Sequence, residues 1–125
     1  MTPAELIAAL DTATGPSREL DAELGVFFSY GGDSETYAEA GRIRVPGVGS
    51  ISSRWVEPRH YTASWDAVMS LARTRYEAWR MLNAALGAST DIGLAMMPDG
   101  FWETAPDPWS CRKAMLKVAI EARLT

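Results

Sequence analysis

Helix-start signals at Thr2-Pro3, Ser64 and Asp107-Pro108 constrain this chain most, because they set where helices begin and leave strand-like segments between them. Thr2-Pro3-Ala4-Glu5 has the form of a capping box with proline at the first helical position. The threonine hydroxyl and the glutamate can each accept an orphan N–H, and the proline removes one that has no partner in any helix. The spacing predicts a helix to about residue 12 with Leu6, Ile7 and Leu10 inward. Ser64 reads as an N-cap, and Asp66 adds negative charge where the helix dipole favours it. The helix it opens is expected to run to about Leu86 and stop at Gly87, with Trp65, Val68, Ala72, Trp79, Leu82 and Leu86 in one stripe. Arg73, Glu77 and Arg80 fall on the opposite side. Asp107-Pro108 opens a last helix to about Arg123, with Met115, Leu116, Ala119 and Ile120 inward and Lys113, Lys117 and Glu121 outward.

Between these helices the pattern changes. Gly15-Pro16 interrupts the first helix, Ser17 caps a short second one through Leu24, and Gly25 is placed to end it. Residues 26–30 are apolar and aromatic without a break, which suits a short central strand. Gly31-Gly32-Asp33-Ser34 marks a turn, and residues 35–40 fit either a loop or a helical turn. Arg42-Ile43-Arg44-Val45 alternates, Pro46-Gly47-Val48-Gly49 supplies turn residues, and residues 51–56 resume a strand, so a β-hairpin is expected. Ile43 and Val45 then share one face, Arg42 and Arg44 the other. Residues 92–97 and 101–104 flank Pro98-Asp99-Gly100 and predict a second hairpin. The whole reads as one α+β domain over residues 1–125. Its architecture is a layered α/β sandwich, a mostly antiparallel sheet of about four to five strands covered by helices.

Composition narrows the function classes. A chain of 125 residues can bury roughly two thirds of its unfolded surface without covalent staples. Cys111 is the single cysteine, so no disulfide forms within the chain, and with one histidine a zinc site within the chain lacks ligands. That usage fits a reducing cytoplasm. The first residues lack a signal-peptide pattern, and no apolar run approaches the roughly 20 residues of a membrane span. A net charge of −4 argues against a generic nucleic-acid binder. Five tryptophans are expected mostly in the core.

Three segments resemble the phage ABA sandwich family, small uncharacterised proteins of phages and prophages. They are Ala13-Thr14-Gly15-Pro16-Ser17-Arg18-Glu19-Leu20-Asp21, Tyr61-Thr62-Ala63-Ser64-Trp65-Asp66-Ala67, and the amphipathic stretch from Lys113 to Arg123. The resemblance implies a helix-covered sheet and a viral setting, and it carries no catalytic motif. The family often follows its central helix with a Pro-Glu-Gly-Trp-like turn, whereas Arg73 to Leu86 here reads as continuing helix.

One group of residues has binding chemistry. Arg42, Arg44, Arg54 and Arg59 supply planar guanidinium groups for oxyanions, and Trp55, His60 and Tyr61 supply faces that can stack. The alternative is a solvated sheet face whose arginines pair with Glu35, Glu39 and Glu57. His60 has no nucleophile or carboxylate at recognisable spacing, and Cys111, in the first turn of the last helix, is read as a buried inert thiol. Gly47-Val48-Gly49 lacks a phosphate-loop context, no serine lies in a nucleophile elbow, and Asp66, Asp91, Asp99 and Asp107 are accounted for by caps and turns. No cofactor, metal or catalytic residue is expected. The sequence therefore points to a non-enzymatic accessory protein in the host cytoplasm that binds a host protein or a small anionic, nucleotide-like ligand, with counter-defence as one use. The alternative is a structural protein that forms a homo-oligomer through exposed Trp and Met.

Overall fold

A computed structural model describes residues 1–31, 35–88 and 108–124. Thr2 closes its capping box on α1 (Pro3–Thr12): Glu5 N donates to Thr2 Oγ1 at 3.2 Å and Thr2 N donates to Glu5 Oε1 at 3.1 Å. The backbone N–H of Thr2, reinforced by its side chain, holds the Glu5 carboxyl below its ordinary range. Leu6 and Leu10 are fully buried, as expected, while Ile7 is half-buried.

Ser17 caps α2 (Arg18–Tyr30), its Oγ accepting from Leu20 N at 3.3 Å. This helix corrects two expectations. It does not stop at Gly25, and residues 26–30 are its last turns rather than a strand. The strand propensity of the aromatic run yields to a helical stripe in which Leu20 and Leu24 continue into Phe27 and Phe28 at three- and four-residue steps. The actual stop is Gly31, left-handed at φ 61°.

Residues 35–40 supply an unexpected strand. β1 (Tyr37–Glu39), β2 (Arg42–Val45) and β3 (Arg54–Val56) form an antiparallel sheet in the order β1-β2-β3. Ala40 and Gly41 join β1 to β2 with φ of 51° and 74°, a two-residue turn with positive φ at both positions. The predicted hairpin of β2 and β3 is present, with Arg44 opposite Trp55 and Val45 opposite Arg54. Its Ile43 side chain is buried beneath α2, where Gly25 lets the helix approach.

These elements belong to one of two compact units, Met1–Thr62; the other is Ala63–Thr125. Within the second unit the expected long helix is divided. Ser64 caps α3 (Trp65–Met69), which ends at Ser70, and α4 (Arg75–Ala88) restarts after it. Thr74 makes the restart: Glu77 N donates to its Oγ1 at 3.1 Å. The Thr74-Arg75-Tyr76-Glu77 sequence is thus a further helix-start signal. The inward residues of α4 are Met81 and Ala85, not Trp79, and Gly87 lies inside the helix. α5 (Pro108–Ala122) follows expectation, burying Met115, Leu116, Ala119 and Ile120, together with Cys111 and Arg112. The Arg112 guanidinium lies 5.2 Å from the Trp65 ring centroid, and burial lowers its pKa from the ordinary value.

The chain is therefore α+β, with a three-stranded antiparallel sheet among the described residues. The expected second hairpin at residues 92–104 and the turn at residues 32–34 lie outside them. Among the described residues no helix is long and apolar enough to cross a membrane.

Candidate functional site

Strand alternation divides the seven candidate residues. Arg42 and Arg44 project from the same face of β2, and Trp55 faces them from β3 because it is the register partner of Arg44. The Arg42 guanidinium carbon lies 4.9 Å and that of Arg44 5.1 Å from the Trp55 ring centroid. Tyr37, the register partner of Arg44 on β1, adds its ring edge-on to Trp55 at 6.2 Å. Arg44 Nη2 also donates to Ser53 Oγ. Arg54 does not join this group: as the immediate neighbour of Trp55 it projects from the opposite face, across from Val45.

The other three candidates sit in the loop after β3, beside the start of α2. Tyr61 is 2 % exposed, its ring centroid 5.9 Å from that of Phe28, so it is a core residue. His60 is exposed, with Nδ1 at 3.2 Å from Arg18 Nη1. The guanidinium can only donate, so in this contact Nδ1 is the acceptor. Arg59 is exposed, and its carbonyl accepts from Tyr61 N at 3.0 Å.

The organising residue of this loop is Arg18, which sequence reasoning missed. Its Nη1 donates to Asp21 Oδ2 at 2.9 Å, and its Nη2 to Pro58 O at 3.0 Å and to Glu57 Oε2 at 3.3 Å. Glu57 is thereby engaged by Arg18. Among the described residues neither Arg42 nor Arg44 makes an ion pair, although Glu39 is the register partner of Arg42 across β1 and β2. Tyr37 also escaped the sequence reading, because its strand was not assigned.

Elsewhere in the same unit, α1, α2 and the β1–β2 turn border a cleft of about 310 Å³. Ala9, Leu20 and Ala38 line it, with Glu19, Glu23 and Glu39 around them, and none of the seven candidates does. Tryptophan is less buried than composition suggests: Trp109 is 9 % exposed, but Trp55 and Trp79 are 36 % and 59 % exposed. Trp79 stacks on Tyr76 one turn earlier, at 6.0 Å between centroids, on the exposed side of α4. Cys111 is fully buried. Among the described residues no group of three or more His, Cys, Asp and Glu is placed to hold a metal ion. Comparison with protein-family models, with curated proteins and with solved structures finds no match for this chain.

Proposed function

We propose that this chain acts by binding an anionic partner rather than by catalysis, and that its contact surface is the sheet face bearing Arg42, Arg44 and Trp55. One observation carries the reading. Two guanidinium groups rest on one indole, at 4.9 Å and 5.1 Å, without an ion-pair partner among the described residues. A guanidinium over an indole keeps N–H donors for a carboxylate or phosphate; on Arg44 one of them, at Nη2, meets Ser53 Oγ. Arg54, Arg59 and His60 are outside this surface.

The burial of Cys111 and the engagement of His60 Nδ1 by Arg18 support a non-enzymatic role. The resemblance to the phage ABA sandwich family adds the setting to the proposal: an accessory protein of a phage or prophage in the host cytoplasm, with counter-defence among its uses. The finer architecture, a helix-covered sheet of about four to five strands, is part of the proposal, the strand number resting on the alternation of helix and strand signals in the sequence and the helical cover on the resemblance as well.

Native mass spectrometry of protein purified from a bacterial host, before and after denaturation, tests the reading. A bound mass or polypeptide that is retained by wild type and lost from an Arg42→Ala/Arg44→Ala variant is the expected result. Retention by the variant would overturn the site.

A second reading, homo-oligomerisation, is favoured by the stacked Tyr76–Trp79 pair, 65 % and 59 % exposed. Light scattering across a concentration series tests it. A mass that stays monomeric throughout rejects it.

A further inference from the structure

The β2–β3 hairpin presents two kinds of uncovered group. Its strand face carries Arg42, Arg44 and Trp55, with Tyr37 and Glu39 beside them on β1, Glu39 as the register partner of Arg42; its tip carries Val48 and Ile51, which are 74 % and 61 % exposed. Such aliphatic exposure on a mobile loop would mean little, but this tip is held by its backbone. Val48 and Ile51 form an isolated antiparallel bridge, with Ile51 N donating to Val48 O at 3.0 Å. Gly47 packs the loop limbs so closely that a Cβ there would collide with Ile51 O. The backbone of the tip thus has a defined turn geometry that sets where Val48 and Ile51 emerge, and a preformed backbone lowers the entropy lost on binding.

That arrangement fits a protein surface better than a small anion. Small-molecule sites are concave and bury most of their ligand, whereas Tyr37 is 48 % and Trp55 36 % exposed on an open strand face. A bare phosphate or nucleotide on the arginines would also leave Val48 and Ile51 in water. Trp, Tyr and Arg are the residues that dominate binding energy at protein interfaces. The chain as a whole carries −4, whereas on this strand face two arginines outnumber the one carboxylate, Glu39, so an acidic partner is drawn here in preference to the rest of the surface.

We infer that the β2–β3 hairpin docks a polypeptide segment in which carboxylates stand beside apolar side chains, the carboxylates on Arg42 and Arg44 and the apolar groups on Val48 and Ile51. This rests on the binding reading above and names its partner class.

Selection of displayed random peptides on the intact protein, with titration of the synthesised consensus, is the test. Inorganic phosphate and adenosine monophosphate are titrated in parallel, followed by the Trp55 indole and arginine side-chain NMR signals. The expected consensus joins Asp or Glu to aliphatic or aromatic residues. Its affinity falls about tenfold or more both for Arg42→Ala/Arg44→Ala and for Val48→Ser/Ile51→Ser, all of these being surface changes. A consensus without acidic residues, or one unmoved by either pair, overturns the inference. Phosphate or nucleotide binding at the arginines with no peptide selected overturns it while the binding reading stands. A dimer abolished by the same variants puts a second copy on the hairpin and also overturns it. If nothing binds and no dimer forms, both readings fall.

Discussion

Gly25, in the middle of α2, lies so close to Ile43 of β2 that a Cβ at Gly25 would be 2.6 Å from Ile43 Cδ1. Glycine here trades helix propensity for close approach of helix to sheet. Gly25→Ala gains about 1 kcal/mol of propensity and incurs about 1–3 kcal/mol of overpacking. Net destabilisation is expected by chemical denaturation. In an Ile43→Val background, which removes Cδ1, the same change should cost less or become favourable. A Gly25→Ala protein more stable than wild type would show that α2 can move away freely.

Ala40 occupies a left-handed conformation, φ 51°, in a turn whose chemistry prefers Asn-Gly. Its Cβ is strained there, and Ala40→Asn or Ala40→Gly relieves the strain. Either variant should be more stable by about 1 kcal/mol, read as a raised Tm. Gly41→Ala, at φ 74°, should be destabilising. Equal melting of all variants would contradict the turn geometry.

What the sequence made legible follows from how local each cause is. The ends of α1 and α5 and the β2–β3 hairpin were readable because caps, proline and alternation act over a few residues. The same alternation already separates Arg54 from Trp55, and Thr74 with Glu77 already marks the restart of α4, so these were signals present but not used. Gly25 misled, since a glycine in a helical stretch reads as a stop when its purpose is contact with a strand far along the chain. Arg18 was not legible: its contact with His60 spans 42 positions and depends on the fold. Tyr37 was hidden in a segment whose strand forms by pairing with β2 rather than by its own composition.

Asp21 is 1 % exposed and its Oδ1 accepts from both the backbone N, at 2.7 Å, and the Oγ1, at 2.8 Å, of Thr62. The Thr62 hydroxyl in turn accepts from Ser17 N at 2.9 Å, tying the start of α2 to the loop after β3. Thr62→Val should cost about 2 kcal/mol by leaving a buried carboxylate short of a donor and Ser17 N–H without its acceptor. Asp21→Ala should cost about 3 kcal/mol, and the double variant clearly less than the sum, because both remove the same network. Thr62→Ser, which keeps the hydroxyl, should stay within about 1 kcal/mol of wild type. Strict additivity in a double-mutant cycle would refute the coupling.

Glu77 is held by Arg73, whose Nη2 donates to Oε1 at 2.8 Å and whose backbone N donates to Oε2 at 2.9 Å. The Arg73 side chain first, then its backbone, lowers the Glu77 pKa below its ordinary 4.5. A carboxylate depressed in the folded state binds its proton more readily when unfolded, so its contribution is fully present above 4.5 and lost as pH falls from there through the folded value. Arg73 also donates from Nη2 to Ala122 O at 2.9 Å, so the pair helps fix the end of α5. NMR titration of the Glu77 carboxyl carbon should show a midpoint below 4.5 that rises in Arg73→Gln. The acid-side loss of stability should shrink in the same variant, and in Glu77→Gln the titrating contribution should vanish. A wild-type midpoint at or above 4.5 would mean the Arg73 contact does not persist in solution.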